Sequence, residues 1–379
     1  MMITDLPLEL CCLIMLKLPV KSLLRLRCVC KLFRSMIDDP HFTKLHHSRS
    51  LACPESSTRI LVYNINDDDN VDFFSVEIGG DQQAVRCATF PMHCLVSFFY
   101  RKSDNVRSDV HYDHYGELNL RFCPGYVITW IINSPQVVKG LILLKDQIWN
   151  PLTGHLITLP HAEEDLPKWK PPTNHFLGFD PHTNQYKVLY IRHYYYQEKE
   201  SYSTVCKILT IGIDGIIGSW RFIKTYPKEM PTLQSPVLRG CGNDMLYLSN
   251  PDYYPGGVLA LDLHTEVFHT PSFPVDNISQ GWSIYNAFPG RSVFNHNTNF
   301  WLSNGKGGWD QRLLDIPRPH TVYDTLGKGE ILLCYDNDTM LAGFNLETGF
   351  LREIHTPNLQ DYLSDCYVFR THVECLIRF

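Results

Sequence analysis

One short pattern recurs four times in this chain and limits what most of it can become. An apolar residue is followed by Asn or Asp, then two residues, then Thr. It stands as Trp149-Asn150-Pro151-Leu152-Thr153-Gly154, Phe179-Asp180-Pro181-His182-Thr183-Asn184, Leu261-Asp262-Leu263-His264-Thr265-Glu266 and Phe344-Asn345-Leu346-Glu347-Thr348-Gly349. The Asn or Asp side chain can accept from a backbone N–H two or three residues on. Pro151 and Pro181 set φ at the next turn position. The Gly or Asn after Thr tolerates positive φ. Each copy therefore predicts a hairpin corner, and it gives Asp180 and Asp262 a structural role rather than a catalytic one.

The flanking sequence agrees. Thr58–Tyr63, Val71–Ile78, Lys139–Leu144, Leu156–Leu159, Tyr186–Ile191, Val205–Ile213, Val237–Cys241, Met245–Leu248, Val258–Leu261, Gly329–Tyr335 and Met340–Phe344 are short β-branched and aromatic runs bounded by turn residues. Aromatics make up 12% of the chain, which favours strands. Residues 79–125 resist parsing, and a loop is expected over Arg101–Gly116. An all-β repeat fold is expected, most naturally an irregular propeller of about six blades that leaves only short, protected edges. A β-sandwich is the runner-up.

The first fifty residues obey a different period. From Leu8 to Leu18 only Glu9 and Lys17 are charged. Thr4 or Asp5 can cap such a helix, and Pro7 suits its first turn. Leu18-Pro19 ends it. The run falls short of the roughly 20 apolar residues that cross a bilayer. Downstream, Leu23, Leu26, Cys30, Phe33 and Ile37 recur at spacings of three and four and share one helical face. Asp38-Asp39-Pro40 breaks that pattern, and Pro40 opens a last helix. Three or four short helices result, with more apolar surface than so small a module can bury alone. The excess is assigned to Leu6, Pro7, Leu10, Ile14, Leu18, Pro19, Leu23, Leu26 and Val29, and a partner is expected to cover it.

These residues resemble the F-box pattern in order and spacing. Leu6-Pro7-Leu8-Glu9-Leu10, Leu18-Pro19-Val20-Lys21-Ser22-Leu23, Arg27-Cys28-Val29-Cys30-Lys31 and Asp39-Pro40-His41-Phe42 carry the match, which covers residues 4–48 and looks like the plant version. Phe33 stands where that family usually has Trp. Lys139-Gly140-Leu141, Trp149–Thr153, Leu177–Val188 and Ser219-Trp220-Arg221 resemble the plant F-box-associated domain, a kelch-like module, over about residues 90–360. Ser272–Pro317 departs from it and is left open as blade or insertion. The resemblance implies an adaptor-binding domain over 1–50 and a substrate-recruiting domain over 51–379. It implies docking to a Skp-type adaptor and, indirectly, to a cullin and a RING protein.

Function classes narrow accordingly. A substrate receptor of an SCF-type ubiquitin ligase, with no chemistry of its own, is the leading expectation. It would act by holding a target protein near the conjugating enzyme. An adaptor-independent scaffold and a propeller-fold enzyme are the alternatives. For an enzyme, the nearest histidine groups are His46-His47 and His111 with His114, and neither comes with convergent ligands or a nucleophile. No metal or cofactor is expected. Cys28-Val29-Cys30 is one residue short of a CxxC, and no CxxC stands anywhere in the chain. Residues 1–50 hold eight Lys/Arg against four Asp/Glu, while the whole chain is at −6. That asymmetry suits an acidic adaptor but is too diffuse for nucleic acid. Thirteen cysteines without a framework, and no basic leader before Leu8, predict a reducing compartment, cytoplasmic or nuclear, and no membrane.

One hairpin is singled out as a substrate-binding candidate. His193–Tyr202 reads as a loop between two strands and holds Tyr194, Tyr195, Tyr196 and Tyr202. Tyrosine offers large, amphipathic contact area at low entropic cost. The bland alternative is an extended strand pair whose tyrosines merely pack on a neighbouring blade.

Overall fold

The computed structural model describes residues 6–52, 58–66, 68, 70–77, 85–91, 96–102, 118–123, 126–132, 135–162, 174–196, 201–223, 237–242, 244–249, 258–274, 282–288, 291–296, 299–304, 308–312, 316, 320–327, 329–335, 340–354, 366–373 and 375–377. Thr4, Asp5 and most of the loop expected over Arg101–Gly116 lie outside that set.

Four helices come first: α1 (Leu8–Met15), α2 (Val20–Arg27), α3 (Lys31–Ile37) and α4 (Pro40–Ala52). Pro7 and Pro19 occupy the N-cap positions of α1 and α2. The run from Val20 to Ile37 is two helices rather than one. It breaks at Cys30, whose backbone is extended at φ −152° and ψ 162°. The Cys30 thiol accepts from Phe33 N–H at 3.4 Å and so caps α3. Arg27, at the end of α2, reaches across to Asp38, at the end of α3, through two hydrogen bonds of 2.6 and 3.0 Å. Met15, Val20, Leu23, Phe33, Ile37 and Phe42 form a buried core between the helices.

Strands follow. β1 (Thr58–Ile65), β2 (Asn70–Glu77) and β3 (Val85–Pro91) pair in sequence. β4 (Val96–Lys102), β5 (Leu118–Cys123) and β6 (Tyr126–Ile132) make a separate sheet in the order β4-β6-β5. β7 (Gln136–Val138), β8 (Leu141–Leu144), β9 (Gln147–Trp149) and β10 (Leu156–Thr158) form one antiparallel meander. β11 (Asn174–Asp180), β12 (Gln185–Tyr196), β13 (Ser201–Gly212) and β14 (Arg221–Phe222) form the next. β15 (Val237–Gly242), β16 (Met245–Ser249), β17 (Val258–Asp262) and β18 (Phe268–His269) make another, as do β19 (Trp282–Phe288), β20 (Arg291–His296), β21 (Asn299–Ser303) and β22 (Trp309–Arg312). β23 (His320–Gly327), β24 (Glu330–Tyr335), β25 (Met340–Asn345) and β26 (Leu351–Glu353) complete the series. The last strand, β27 (Cys366–Val373), returns to pair with β1.

These are blades of a closed propeller. The first strand of each meander lies innermost. β7 touches β11, β11 touches β16, β15 touches β19, β19 touches β23, β23 touches β27, and β27 touches β7. β27-β1-β2-β3 is thus the first blade, closed by the last strand, and with the five meanders from β7 to β26 it makes a ring of six four-stranded blades among the described residues. β15 and β19 are joined by one parallel bridge, Gly240 to Ile284, so two blades read as a single eight-stranded sheet. A Cβ on Gly240 would sit 1.9 Å from the Ile284 carbonyl oxygen, which explains the glycine. Ser272–Pro317 contains β19–β22, so it is a blade and not an insertion. Apolar faces of adjacent blades pack on one another: Leu189, Ile191 and Ile208 meet Leu246, Leu248, Leu259 and Leu261, for example.

The four repeated corners form as their sequence dictates. Asn150 Oδ1 accepts from Leu152 and Thr153 N–H at 3.0 and 3.4 Å, and Asp180 Oδ1 from His182 and Thr183 at 2.9 and 3.4 Å. Asp262 Oδ1 accepts from His264 and Thr265 at 2.7 and 2.9 Å, and Asn345 Oδ1 from Glu347 and Thr348, both at 2.9 Å. The residue after Thr has positive φ in every copy: Gly154 at 73°, Asn184 at 56°, Glu266 at 60° and Gly349 at 70°.

Candidate protein-binding surfaces

The helices present apolar side chains that their own core leaves uncovered. On α1, Cys11 and Met15 point inward. Leu10, Leu13 and Ile14 lie at helical spacing on another face and are 46%, 57% and 50% exposed. Leu8 precedes them, and Val29, between α2 and α3, is 68% exposed, with Leu32 close behind in sequence. Large apolar groups exposed together on so short a stretch make this face a candidate binding surface.

The predicted contact residues divide on this geometry. Leu10, Ile14 and Val29 are exposed, and so are Pro7 and Pro19. Leu6, Leu18 and Leu26 are half-buried. Leu23 is fully buried beside Val20, Phe33 and Ile37, so it builds the helical core and offers nothing to a partner. Leu8, Leu13 and Leu32 are exposed as well, although the sequence does not single them out as partner contacts. A run apolar nearly all round carries no periodicity by which to tell its inner face from its outer one.

The helices are fastened to the propeller. α4 carries two buried stripes. Phe42 and His46 face the helical core, where the His46 Nε2 pairs with Leu18 O at 3.0 Å. His47 and Leu51 face the propeller. The His47 ring lies edge-on to Phe179 at 5.6 Å, and its Nε2 is 3.4 Å from the Tyr186 hydroxyl. Tyr186 donates that hydroxyl to Lys139 O at 2.5 Å. The His47 Nδ1 is buried without a hydrogen-bond partner. Burial, helped by the nearby Lys139 and His46 charges, lowers the His47 imidazole to about 4.

Every one of these contacts falls on one end of the propeller. In an antiparallel meander the first and third turns lie at the same end and the second turn at the other. Lys139 and the Asp180 corner are first turns and the Asn150 corner is a third turn, all at the helical end. The Tyr-rich hairpin is a second turn, so it points the opposite way. Its strands run further than the sequence suggested. β12 and β13 stay paired to Tyr196↔Ser201, so residues 193–196 and 201–202 are strand, and only residues 197–200 intervene. From Arg192↔Val205 outward the pair extends past β11, whose register ends at Asn174↔Ile191. The side chains of Tyr194, Tyr195, Tyr196 and Tyr202 lie outside the described residues.

A charged cluster holds two blades together at the helical end. Asp180 is fully buried. Its Oδ2 accepts from the Thr183 hydroxyl at 2.8 Å and lies 3.3 Å from His264 Nδ1 and 3.4 Å from Lys187 Nζ. Burial pushes the Asp180 carboxyl up, but these hydrogen bonds and those from the His182 and Thr183 backbone outweigh it, and it ends below its usual value. Lys187 also donates to Glu266 at 2.8 Å and to Leu263 O, and Arg221 pairs with the same Glu266. These two partners explain a glutamate where the other corners have Gly or Asn. Among the described residues no group of three or more His, Cys, Asp or Glu is placed to hold a metal ion. No helix among them is long and apolar enough to cross a membrane.

Comparison with known proteins matches both parts of the chain. Residues 3–45 match the F-box domain, and residues 88–374 match the F-box associated beta propeller domain. The Arabidopsis thaliana F-box protein At1g47790 is 28% identical over 279 residues, covering 72% of this chain and 60% of that protein. A second Arabidopsis thaliana F-box protein, At3g10240, is 24% identical over 352 residues, covering 87% of this chain and 76% of its own length. The chain thus spans 60% of the first of these relatives. Among solved structures, one from the nidogen/laminin complex superposes with a TM-score of 0.44 at 9% identity, covering 84% of this chain and 99% of that one.

Proposed function

The chain belongs to the plant F-box proteins that carry a C-terminal F-box-associated β-propeller domain, and from that premise we propose that it is the substrate receptor of an SCF-type ubiquitin ligase. In this reading residues 1–50 dock on a Skp-type adaptor, and residues 51–379 hold the target protein. The cullin and the RING protein follow the adaptor, so the transfer chemistry is supplied in trans and this chain needs no catalytic group. It works in the cytoplasm, the nucleus or both, wherever its target is. The observation that carries the proposal is the exposed stripe Leu10, Leu13 and Ile14, with Leu8 and Val29, on helices whose inner face is already packed.

Target capture is assigned to the propeller end opposite the helices, where the β12–β13 hairpin with Tyr194, Tyr195, Tyr196 and Tyr202 extends past its neighbours. A target held there does not compete with the adaptor for space.

Affinity purification with the proteasome and neddylation blocked tests both halves. The wild-type chain is expected to bring down adaptor, cullin and an enriched target. Leu10→Asp with Ile14→Asp should lose adaptor and cullin by more than about tenfold while keeping the target, since buried interface anchors typically contribute about 2 kcal/mol or more each. Tyr194→Ala with Tyr196→Ala should do the reverse. Unchanged adaptor recovery by the first variant, in a folded protein, refutes the receptor reading.

A further inference from the structure

The residues just past β27 are shared between the helical module and the propeller. Cys375, Leu376 and Ile377 are all buried. They alternate as an extended segment does: Cys375 and Ile377 enter the propeller core with Leu141, Leu177, Tyr186 and Val188, while Leu376 enters the helical core with Val20, Leu23, Phe33 and Phe42. Their backbone is held by one side chain above all. The buried Asn150 Nδ2 donates to Cys375 O at 3.0 Å and to Ile377 O at 2.9 Å, and the Thr153 hydroxyl donates to Ile377 O at 3.3 Å. Leu152, from the same corner, packs on the helices.

We infer that Asn150 and Leu376 are positioning residues: they clamp the adaptor-binding helices to the propeller at one fixed angle. The choice of amide at this corner supports it. At the Asp180 and Asp262 corners a carboxylate makes the same two backbone contacts that the Asn150 Oδ1 makes. The corner therefore does not need an amide. The two carbonyls of the 375–377 segment do, because only an NH2 group donates to both. A second attachment, His47 on Phe179 and Tyr186, lies on α4 and removes the remaining freedom of rotation. In functional terms the clamp fixes where a target sits relative to whatever the helices bind, which sets the effective concentration of the target's lysines at the transfer site. That last step rests on the receptor reading; the clamp itself does not.

Asn150→Asp separates the two roles of the residue. It keeps the acceptor that folds the corner and turns the donor into a carboxylate facing two carbonyls. Leu376→Ala removes the apolar contact from the helical side. Each variant would carry a donor and an acceptor dye at Lys31 on α3 and Gln311 on β22, introduced through non-natural amino acids so that the native cysteines stay untouched. A control pair at Asp214 and Gln311 lies wholly within the propeller. Single-molecule energy transfer is expected to give one narrow population for the wild type. Both variants should broaden the Lys31–Gln311 distribution at least about twofold, as release of a packed contact into a hinge requires, with the control pair unchanged. A narrow Lys31–Gln311 distribution in Asn150→Asp with the corner intact, or a broad one already in the wild type, overturns the inference. If Leu376→Ala does not fold, Asn150→Asp decides alone. Neither readout depends on an adaptor or a target, so failure of the clamp and failure of the receptor reading are told apart.

Discussion

Acidification should loosen this protein in part through the His47 imidazole, and His47→Gln should remove that part. His47 is buried between α4 and the propeller, and its imidazole is lowered from 6.5 to about 4, chiefly by burial and then by the charges of Lys139 and His46. The native state therefore holds it neutral, while the unfolded chain protonates it near its ordinary value. Between about pH 6.5 and about pH 4 the unfolded state binds the extra proton, so stability falls as pH falls through that window. The contribution is fully present above the window and lost below it. A difference of about 2.5 units at about 1.4 kcal/mol per unit amounts to about 3 kcal/mol. Glutamine keeps an N–H for the Tyr186 hydroxyl but cannot titrate. His175, also lowered to about 4 by burial, titrates in the same range in both proteins and cancels in the comparison. Urea unfolding at about pH 7.5 and about pH 4.5 provides the assay: the lower pH lies just above the native value, so the wild type should lose about 2.5 kcal/mol more than His47→Gln between the two conditions. Equal losses would refute the picture of a buried neutral imidazole at this junction.

Two further outcomes follow from the corners and the helices. Asp180→Ala should cost about 2–4 kcal/mol and Asp262→Ala about 0.5–2, because the first also strips a partner from the buried Lys187 while the second removes only a turn acceptor; calorimetry giving equal shifts would contradict the difference in role. Leu23→Ala should cost about 2–5 kcal/mol as a core deletion, whereas Val29→Asp should leave stability within about 0.5 kcal/mol and instead weaken adaptor capture; a stable Leu23→Ala that fails to bind would return Leu23 to the interface.

What the sequence disclosed depended on the reach of each interaction. The four corners were legible because Asn150, Asp180, Asp262 and Asn345 each bond within three residues of themselves. The blade within Ser272–Pro317 was not, because its third turn uses another device: Asn304 Oδ1 accepts from Gly308 N–H, four residues on, at 3.0 Å. The break between α2 and α3 hid behind the continuous spacing of Leu23, Leu26, Cys30, Phe33 and Ile37, all of which join one helical core despite belonging to two helices and a cap. Burial of Leu23 and exposure of Leu13 could not be separated, since both lie in runs of similar composition. The length of the β12–β13 pair was underestimated because a tyrosine-rich segment satisfies a strand and a binding loop alike. The clamp at Asn150 had no local signal at all: its partners lie more than two hundred residues away.

The closure of the ring by β27 on β1 also sets an order of assembly. β1 and β27 pair from Thr58↔Val373 onward, a contact that spans roughly three hundred residues and carries a correspondingly large loop-closure entropy. Until β27 is in place, the first blade exposes one edge of β1, and the helical core lacks Leu376. The two events are therefore one: the strand that seals the propeller brings the residue that completes the helices. A nascent chain that stalls short of β27 leaves an open sheet edge and an unfilled helical core together, the kind of surface on which chaperones act. The helical core is therefore complete only in a chain whose propeller is closed.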